Sequence, residues 1–84
     1  MRYSLSYDLM SPGQNYQKLW DQLKAFDAKR VLESQWVFRR VNTSAAGLRD
    51  YFKQYIDAND RLVVLCVDSD DWATWNAKAK ISDI

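Results

Sequence analysis

The 84-residue sequence has no histidine, one cysteine, two glycines and one proline. Without histidine, the Ser-His and Cys-His pairs of nucleophilic enzymes are excluded, and so is the most common general base. A single cysteine excludes an internal disulfide and argues against a structural zinc site. Gly13 and Gly47 fit neither a P-loop nor a dinucleotide fingerprint. The chemistry that remains open is that of carboxylates holding a hard cation such as Mg²⁺ or Mn²⁺.

The net charge is also small, and long apolar runs are absent. The formal net charge is +1, so no overall basic field points to nucleic acid and none forbids it. The longest apolar run, residues 62–67, is the size of a strand and far short of the ~20 residues that span a membrane. With no visible signal peptide, the sequence predicts a soluble cytoplasmic protein without membrane association. Cys66 lies inside the apolar run, which favours a buried, inert thiol.

Apolar periodicity predicts the regular elements. Residues 2–9 alternate between apolar and polar side chains, which is typical of a strand with one buried side. Ser11-Pro12-Gly13 then has turn chemistry, and residues 15–26 have the 3.6-residue period of an amphipathic helix. Residues 30–32 and 35–41 are predicted as two further strands.

The second half of the chain is predicted to contain a second helix followed by a fourth strand. Thr43 or Ser44 can cap a second helix, whose apolar stripe continues to Ile56. Residues 61–67 are β-branched and aliphatic without interruption, which predicts a strand buried on both faces. After it, Ser69 could cap a short helix, or the segment could run extended.

The order β-α-β-β-α-β predicts an α+β, ferredoxin-like fold, an antiparallel sheet of order 4-1-3-2 with both helices on one face. Residues 1–68 form this domain, and residues 69–84 form a tail that packs on the sheet or on a partner subunit. So small a chain buries only roughly 60–65% of its unfolded surface, and the helices leave one sheet face open. The tail, a second copy of the chain, or both are expected to cover that face, and we predict a homodimer.

Asp8 is the best candidate for a metal-binding or catalytic carboxylate, because it ends the first strand on the polar face beside a turn. The predicted sheet places Ser34, Gln35, Asp60 and Arg61 near it. The simpler interpretation is that Asp8 caps the turn or pairs with Arg61. One carboxylate is too few for a metal ion, but two from two subunits could suffice.

Three other groups of residues could bind a ligand. Arg30, Arg39 and Arg40 could contact phosphates, although charge on an edge strand also guards against aggregation. Trp72 and Trp75 are predicted as dimer-interface or packing anchors, with base stacking as the alternative. The acidic residues that follow the last strand, near Arg2, are interpreted as solvated turn residues: Asp68, Asp70 and Asp71.

The sequence resembles the second CRISPR-associated protein, the small subunit of spacer acquisition, and its stand-alone relatives. The resemblance covers residues 1 to about 68 and is carried by Tyr7-Asp8-Leu9, by residues 34–38 (Ser-Gln-Trp-Val-Phe) and by Asp60-Arg61-Leu62. The sequence is also similar to the virulence-associated D toxin group. The Ser-Val-Phe run of the first family is interrupted here by Trp36, so a divergent, CRISPR-independent relative is favoured.

The resemblance implies a symmetric dimer in which the two Asp8 carboxylates bind a divalent metal, Mg²⁺ or Mn²⁺, for phosphodiester cleavage. Other family members act only as DNA-binding scaffolds. The first hypothesis is therefore a dimeric protein associated with DNA or RNA, either a metal-dependent nuclease or a non-catalytic scaffold. The alternative is a non-enzymatic dimeric interaction module, such as an antitoxin, immunity or regulatory partner.

Overall fold

Six regular elements follow one another in a computed structural model that describes residues 1–10 and 16–84. They are β1 (Arg2–Asp8), α1 (Gln17–Ala25), β2 (Lys29–Leu32), β3 (Gln35–Arg39), α2 (Ala45–Phe52) and β4 (Arg61–Cys66). Single 3₁₀ turns at Lys53–Tyr55 and Ile81–Asp83 extend α2 and end the chain. The turn predicted at residues 11–13 and the helix start predicted at Asn15 lie outside the described residues.

The four strands form one antiparallel sheet in the order β2-β3-β1-β4, which confirms the predicted fold. In the two central pairings Leu5 lies opposite Trp36 on one side and Val64 on the other. Side chains of alternate strand residues share a face, so these three residues point to the same side of the sheet. The core on that side joins strand residues to residues of both helices: Tyr3, Leu5, Tyr7, Leu19, Leu23, Trp36, Phe38, Leu48 and Phe52.

Local capping defines the helix ends. The Ser44 hydroxyl, one of the two predicted caps, accepts the Gly47 N–H at 3.1 Å. At the end of α1, Asp27 has a left-handed φ of 57°, and the N–H groups of Asp27 and Ala28 return to the carbonyls of Lys24 and Leu23. This is a Schellman ending with aspartate where glycine is usual. Neither helix exceeds nine residues, and no helix of the described chain is long and apolar enough to cross a membrane.

The C-terminal segment, residues 67–84, crosses the open face of the sheet without forming the short helix that was one of two predictions for it. It leaves β4 at one edge and reaches the other, where the Lys78 N–H donates to the Val31 carbonyl of β2 at 2.8 Å. The Lys78 ammonium also pairs with Glu33 at 2.9 Å. Beneath this segment Ser4 and Val37 are buried, although Ser4 belongs to the polar side of β1.

Strand β4 departs from its prediction. It was expected to be buried on both faces, but Val63 and Leu65 are 53% and 55% exposed, and Cys66 is exposed rather than buried. Helices cover one face of the sheet. On the other face the C-terminal segment buries residues of β1, β2 and β3 but leaves Val63 and Leu65 of the edge strand half exposed. In addition, β3 ends at Arg39, two residues earlier than predicted, and leaves Val41 exposed.

Candidate functional site

Asp8 ends β1 and lies directly opposite Arg61, the first residue of β4. Its carboxylate is 66% exposed and lies 4.0 Å from the Arg61 guanidinium. An exposed ion pair at this distance contributes little to stability. The sequence thus predicted the Arg61 neighbour correctly, and Asp8 remains accessible to a ligand from solvent.

Asp60, the carboxylate predicted to lie nearest Asp8, is engaged in loop contacts. One of its oxygens accepts the Met10 N–H at 2.7 Å and the Tyr16 hydroxyl at 2.9 Å, and the other accepts the Asp57 N–H at 2.7 Å. Asp60 therefore ties the exit of β1 to the start of α1 and to the loop before β4. Because its oxygens are used in this way, Asp60 is a poor second metal ligand for Asp8.

These contacts predict a stability difference that depends on pH. Burial raises the pKa of Asp60, but hydrogen bonds from Met10, Asp57 and Tyr16 outweigh it and lower the pKa below its ordinary value of 3.8. A carboxylate with a lowered folded-state pKa stabilises the fold above its unfolded pKa, and this contribution is lost as pH falls. We expect Asp60→Asn to lower the urea midpoint at pH 7, and the difference from the parent chain to shrink as pH falls below 3.8 through the lowered pKa of Asp60. A difference that does not shrink at acid pH would contradict this role.

No group of three or more metal-binding side chains occurs within residues 1–10 and 16–84. Asp8 offers one carboxylate and Asp60 is committed elsewhere. Magnesium and manganese take several oxygen ligands, of which the protein commonly supplies one or two carboxylates. A metal site at Asp8 would therefore draw its second carboxylate from another copy of the chain.

Arg30 lies on the helix-covered face, where its side chain is 33% exposed. Its guanidinium stacks 5.3 Å from the ring centres of both Trp20 and Trp36, and it donates to the Glu33 carbonyl at 2.7 Å. These contacts hold the hairpin between β2 and β3 against α1. Arg30 is accordingly occupied by intramolecular contacts.

Arg39 and Arg40 lie at the other end of the sheet. Arg39 is exposed and lies opposite Arg2 of β1. Arg30 lies opposite Trp36, so Arg39 is three residues further along β3 and on the other face of the sheet. The Arg40 guanidinium lies 3.9 Å above the Phe26 ring on the helix side. The structure thus separates Arg30 from the other two predicted phosphate ligands.

Apolar side chains are exposed beside this sheet. Val63 and Leu65 on β4 are more than half exposed, and Trp72 and Trp75 on the C-terminal segment are 41% and 88% exposed. Asp68, which follows β4, accepts the Arg2 N–H at 2.6 Å, as expected from the antiparallel pairing. These exposed tryptophans and β4 residues are candidates for an interaction surface, because exposed apolar patches often mark one.

The fold and this surface define an α+β domain with ferredoxin-like strand order, an accessible strand-end aspartate and an exposed apolar edge strand. No protein-family model matches the sequence. The resemblance to the small spacer-acquisition subunit and to the virulence-associated D group therefore stays a prediction.

Proposed function

We propose that this protein is a homodimeric, non-enzymatic interaction module that associates through the edge strand β4. The observation that carries the proposal is the exposure of Val63 and Leu65 on a strand at the edge of the sheet. Edge strands present unpaired N–H and C=O groups, and natural proteins protect them with charges, proline or a covering segment. Residues 62–66 of β4 contain no charge and no proline.

The two edges of the sheet differ in protection. At the β2 edge, Lys78 of the C-terminal segment donates to Val31 and shields the strand. At the β4 edge, no described residue forms a backbone hydrogen bond to the outer side of the strand. Two copies that pair antiparallel through β4 would form an eight-stranded sheet and bring their exposed apolar side chains together.

Such a dimer separates the two Asp8 carboxylates. Asp8 lies opposite Arg61 at one end of β4, so a twofold axis at the centre of β4 sends the two aspartates to opposite ends. With a rise of ~3.3 Å per residue and strands ~4.8 Å apart, they would lie roughly 20 Å or more apart. Ligand oxygens of one metal ion lie ~2–2.6 Å from it. Pairing through β4 thus favours the non-catalytic function over a shared metal site.

Val63→Lys tests the dimer, because a charge at the centre of an edge strand opposes pairing with another copy. We expect the parent chain to sediment at twice its 9.9 kDa mass at micromolar concentration, and Val63→Lys to sediment as a monomer with the same circular dichroism spectrum. Val41→Lys is the matched control, since Val41 is 74% exposed but lies outside the strands. A parent chain that is monomeric throughout the concentration range rejects the proposal.

A second candidate function is a dimeric protein associated with DNA or RNA, with Asp8 as a ligand of Mg²⁺ or Mn²⁺ for phosphodiester cleavage. The exposed position of the Asp8 carboxylate at a strand end supports it. This function requires a different dimer, in which the β1 ends approach one another. Arg61 lies opposite Asp8 and is exposed to phosphates there, and Arg39 is exposed at the other end of the sheet.

Asp8→Asn separates the catalytic version of this candidate from the scaffold version. If Asp8 binds the metal, cleavage of single-stranded RNA or DNA should require Mg²⁺ or Mn²⁺ and fall at least about 100-fold in Asp8→Asn. Asp70→Asn, at an exposed position after β4, should cleave like the parent chain. Equal cleavage by all three proteins would show contamination, and salt-sensitive binding without cleavage would leave the scaffold version.

A further inference from the structure

A cavity of about 670 Å³ lies between the open face of the sheet and the C-terminal segment. Its floor is formed by side chains of all four strands, including Leu65 and Cys66 of β4, and its roof by residues 68–81. Most of its wall is apolar, with Val37 and Trp72 on opposite sides. Binding sites for small molecules typically have volumes of ~300–1,000 Å³ and a mainly apolar lining with a few polar groups.

The guanidinium of Arg2 is the cationic group of this cavity. Arg2 is only 7% exposed, and its Nε–H is buried without a hydrogen-bond partner. Its side chain also makes a long contact of 3.5 Å from Nη2 to the Ile84 carbonyl. No carboxylate side chain within residues 1–10 and 16–82 forms an ion pair with it. A buried arginine with an unpaired donor is costly unless an acceptor, above all an anion, completes its contacts.

We propose that this cavity binds a small monoanionic ligand with an apolar body, whose carboxylate accepts from the Arg2 guanidinium. The apolar walls provide burial for the body of the ligand. Ser4, which accepts from the Gln35 amide at 2.8 Å, lies beside Arg2 on the floor and adds a hydroxyl donor. Leu65 of β4 lines the cavity and is also part of the exposed edge strand, whereas Val63 does not line the cavity. Val63→Lys therefore tests the dimer without changing a residue of this binding site.

Two carboxylates restrict the charge of the ligand. Asp68 and Asp71 also line the cavity. The Asp68 carboxylate accepts the Arg2 backbone N–H, and neither carboxylate forms an ion pair with a described residue, so both keep their negative charge. A phosphate monoester with a charge near −2 would meet repulsion from both. A single carboxylate needs only the one guanidinium. The lining therefore selects an apolar monocarboxylate over a phosphorylated compound.

Titration of the full chain with octanoate, 1-octanol and octyl phosphate tests the proposal directly. The ¹H–¹⁵N resonance of the Arg2 Nε–H, assigned from its absence in Arg2→Met, reports on the guanidinium. The ligand should contact the terminal Nη groups of that guanidinium, because Nε itself is buried. We expect octanoate to shift this resonance with saturation, and to bind at least tenfold more tightly than 1-octanol or octyl phosphate. The parent chain alone gives this answer, so the test does not depend on the folding of a variant.

Two variants then test whether the Arg2 guanidinium binds the carboxylate of octanoate. Arg2→Met keeps an apolar stem and should weaken octanoate at least tenfold without changing the affinity for 1-octanol. Arg39→Met is the matched control, because Arg39 pairs with Arg2 in register but does not line the cavity. An Arg2 Nε–H that is unmoved by octanoate, or equal affinity for octanoate and 1-octanol, overturns the proposal. Equal loss in both variants would assign binding to general surface charge and overturn it as well.

Discussion

Tyr7→Phe is expected to destabilise the protein by about 2–4 kcal/mol, although it removes a single oxygen atom. The Tyr7 hydroxyl accepts the indole N–H of Trp20 and that of Trp36, each at 3.1 Å, and donates to the Glu33 carbonyl at 3.1 Å. Trp36 is buried, so its N–H would lose its only partner without gaining water. Unsatisfied buried donors cost ~1–3 kcal/mol each. Urea unfolding, monitored by tryptophan fluorescence, measures the change.

The matched control is Tyr51→Phe. The Tyr51 hydroxyl donates to Gln22 at 2.6 Å in an exposed position, where water can replace it. We expect a change within about 0.5 kcal/mol for this variant. A double-mutant cycle of Tyr7→Phe with Trp36→Phe should show positive coupling, because removing both partners leaves no stranded donor on that indole. A Tyr7→Phe variant as stable as the Tyr51→Phe control would show that the hydroxyl network is not a stabilising feature.

The alternating pattern of β1 explains why much of the fold was predictable. It placed Tyr3, Leu5 and Tyr7 on the buried face and Asp8 at the polar strand end, where antiparallel pairing brings it to Arg61. Pairing also places Asp68 beside Arg2. These are consequences of strand register, which hydrophobic periodicity and element order largely determine.

The Tyr7 network was not predictable from the same pattern. The two indoles that meet on its hydroxyl come from α1 and β3, so their approach depends on how the helix packs on the sheet. Arg30 was assigned to a phosphate surface because its charge suggested exposure. In the structure its flat guanidinium packs on the two indoles instead, as arginine often does.

The sequence predicts that the open face is covered, but not the path of the C-terminal segment over it. In the structure this segment buries Arg2 and Ser4, which lie on the polar side of β1. A signal was available: Ala77, Ala79 and Ile81 alternate with Lys78 and Lys80, the period of an extended segment with one side against the protein. Conversely, the apolar run of β4 predicts a strand buried on both faces, because such runs are usually buried. In the structure the C-terminal segment leaves Val63 and Leu65 about half exposed.

Removal of residues 72–84 should lower the free energy of unfolding by about 3–5 kcal/mol. Val31 and Val37 are each only 2% exposed, and the deletion would return both to solvent at ~1.5–3 kcal/mol per side chain. It would also remove the hydrogen bond from Lys78 to Val31. A domain of this size has a total stability of roughly 4–12 kcal/mol. The expected loss is therefore a large fraction of the whole, and urea unfolding would measure it.

Trp75→Ala is the control for this deletion, because the Trp75 side chain is 88% exposed and its loss should change stability by less than about 0.5 kcal/mol. Combining the deletion with Val63→Lys separates the cover of the open face by the segment from the association of two copies through β4. Loss of the segment lowers stability at every protein concentration, whereas loss of the second copy removes the concentration dependence of unfolding. If the deletion leaves stability unchanged, the segment is not a cover, and the burial of Val31 and Val37 must have another source.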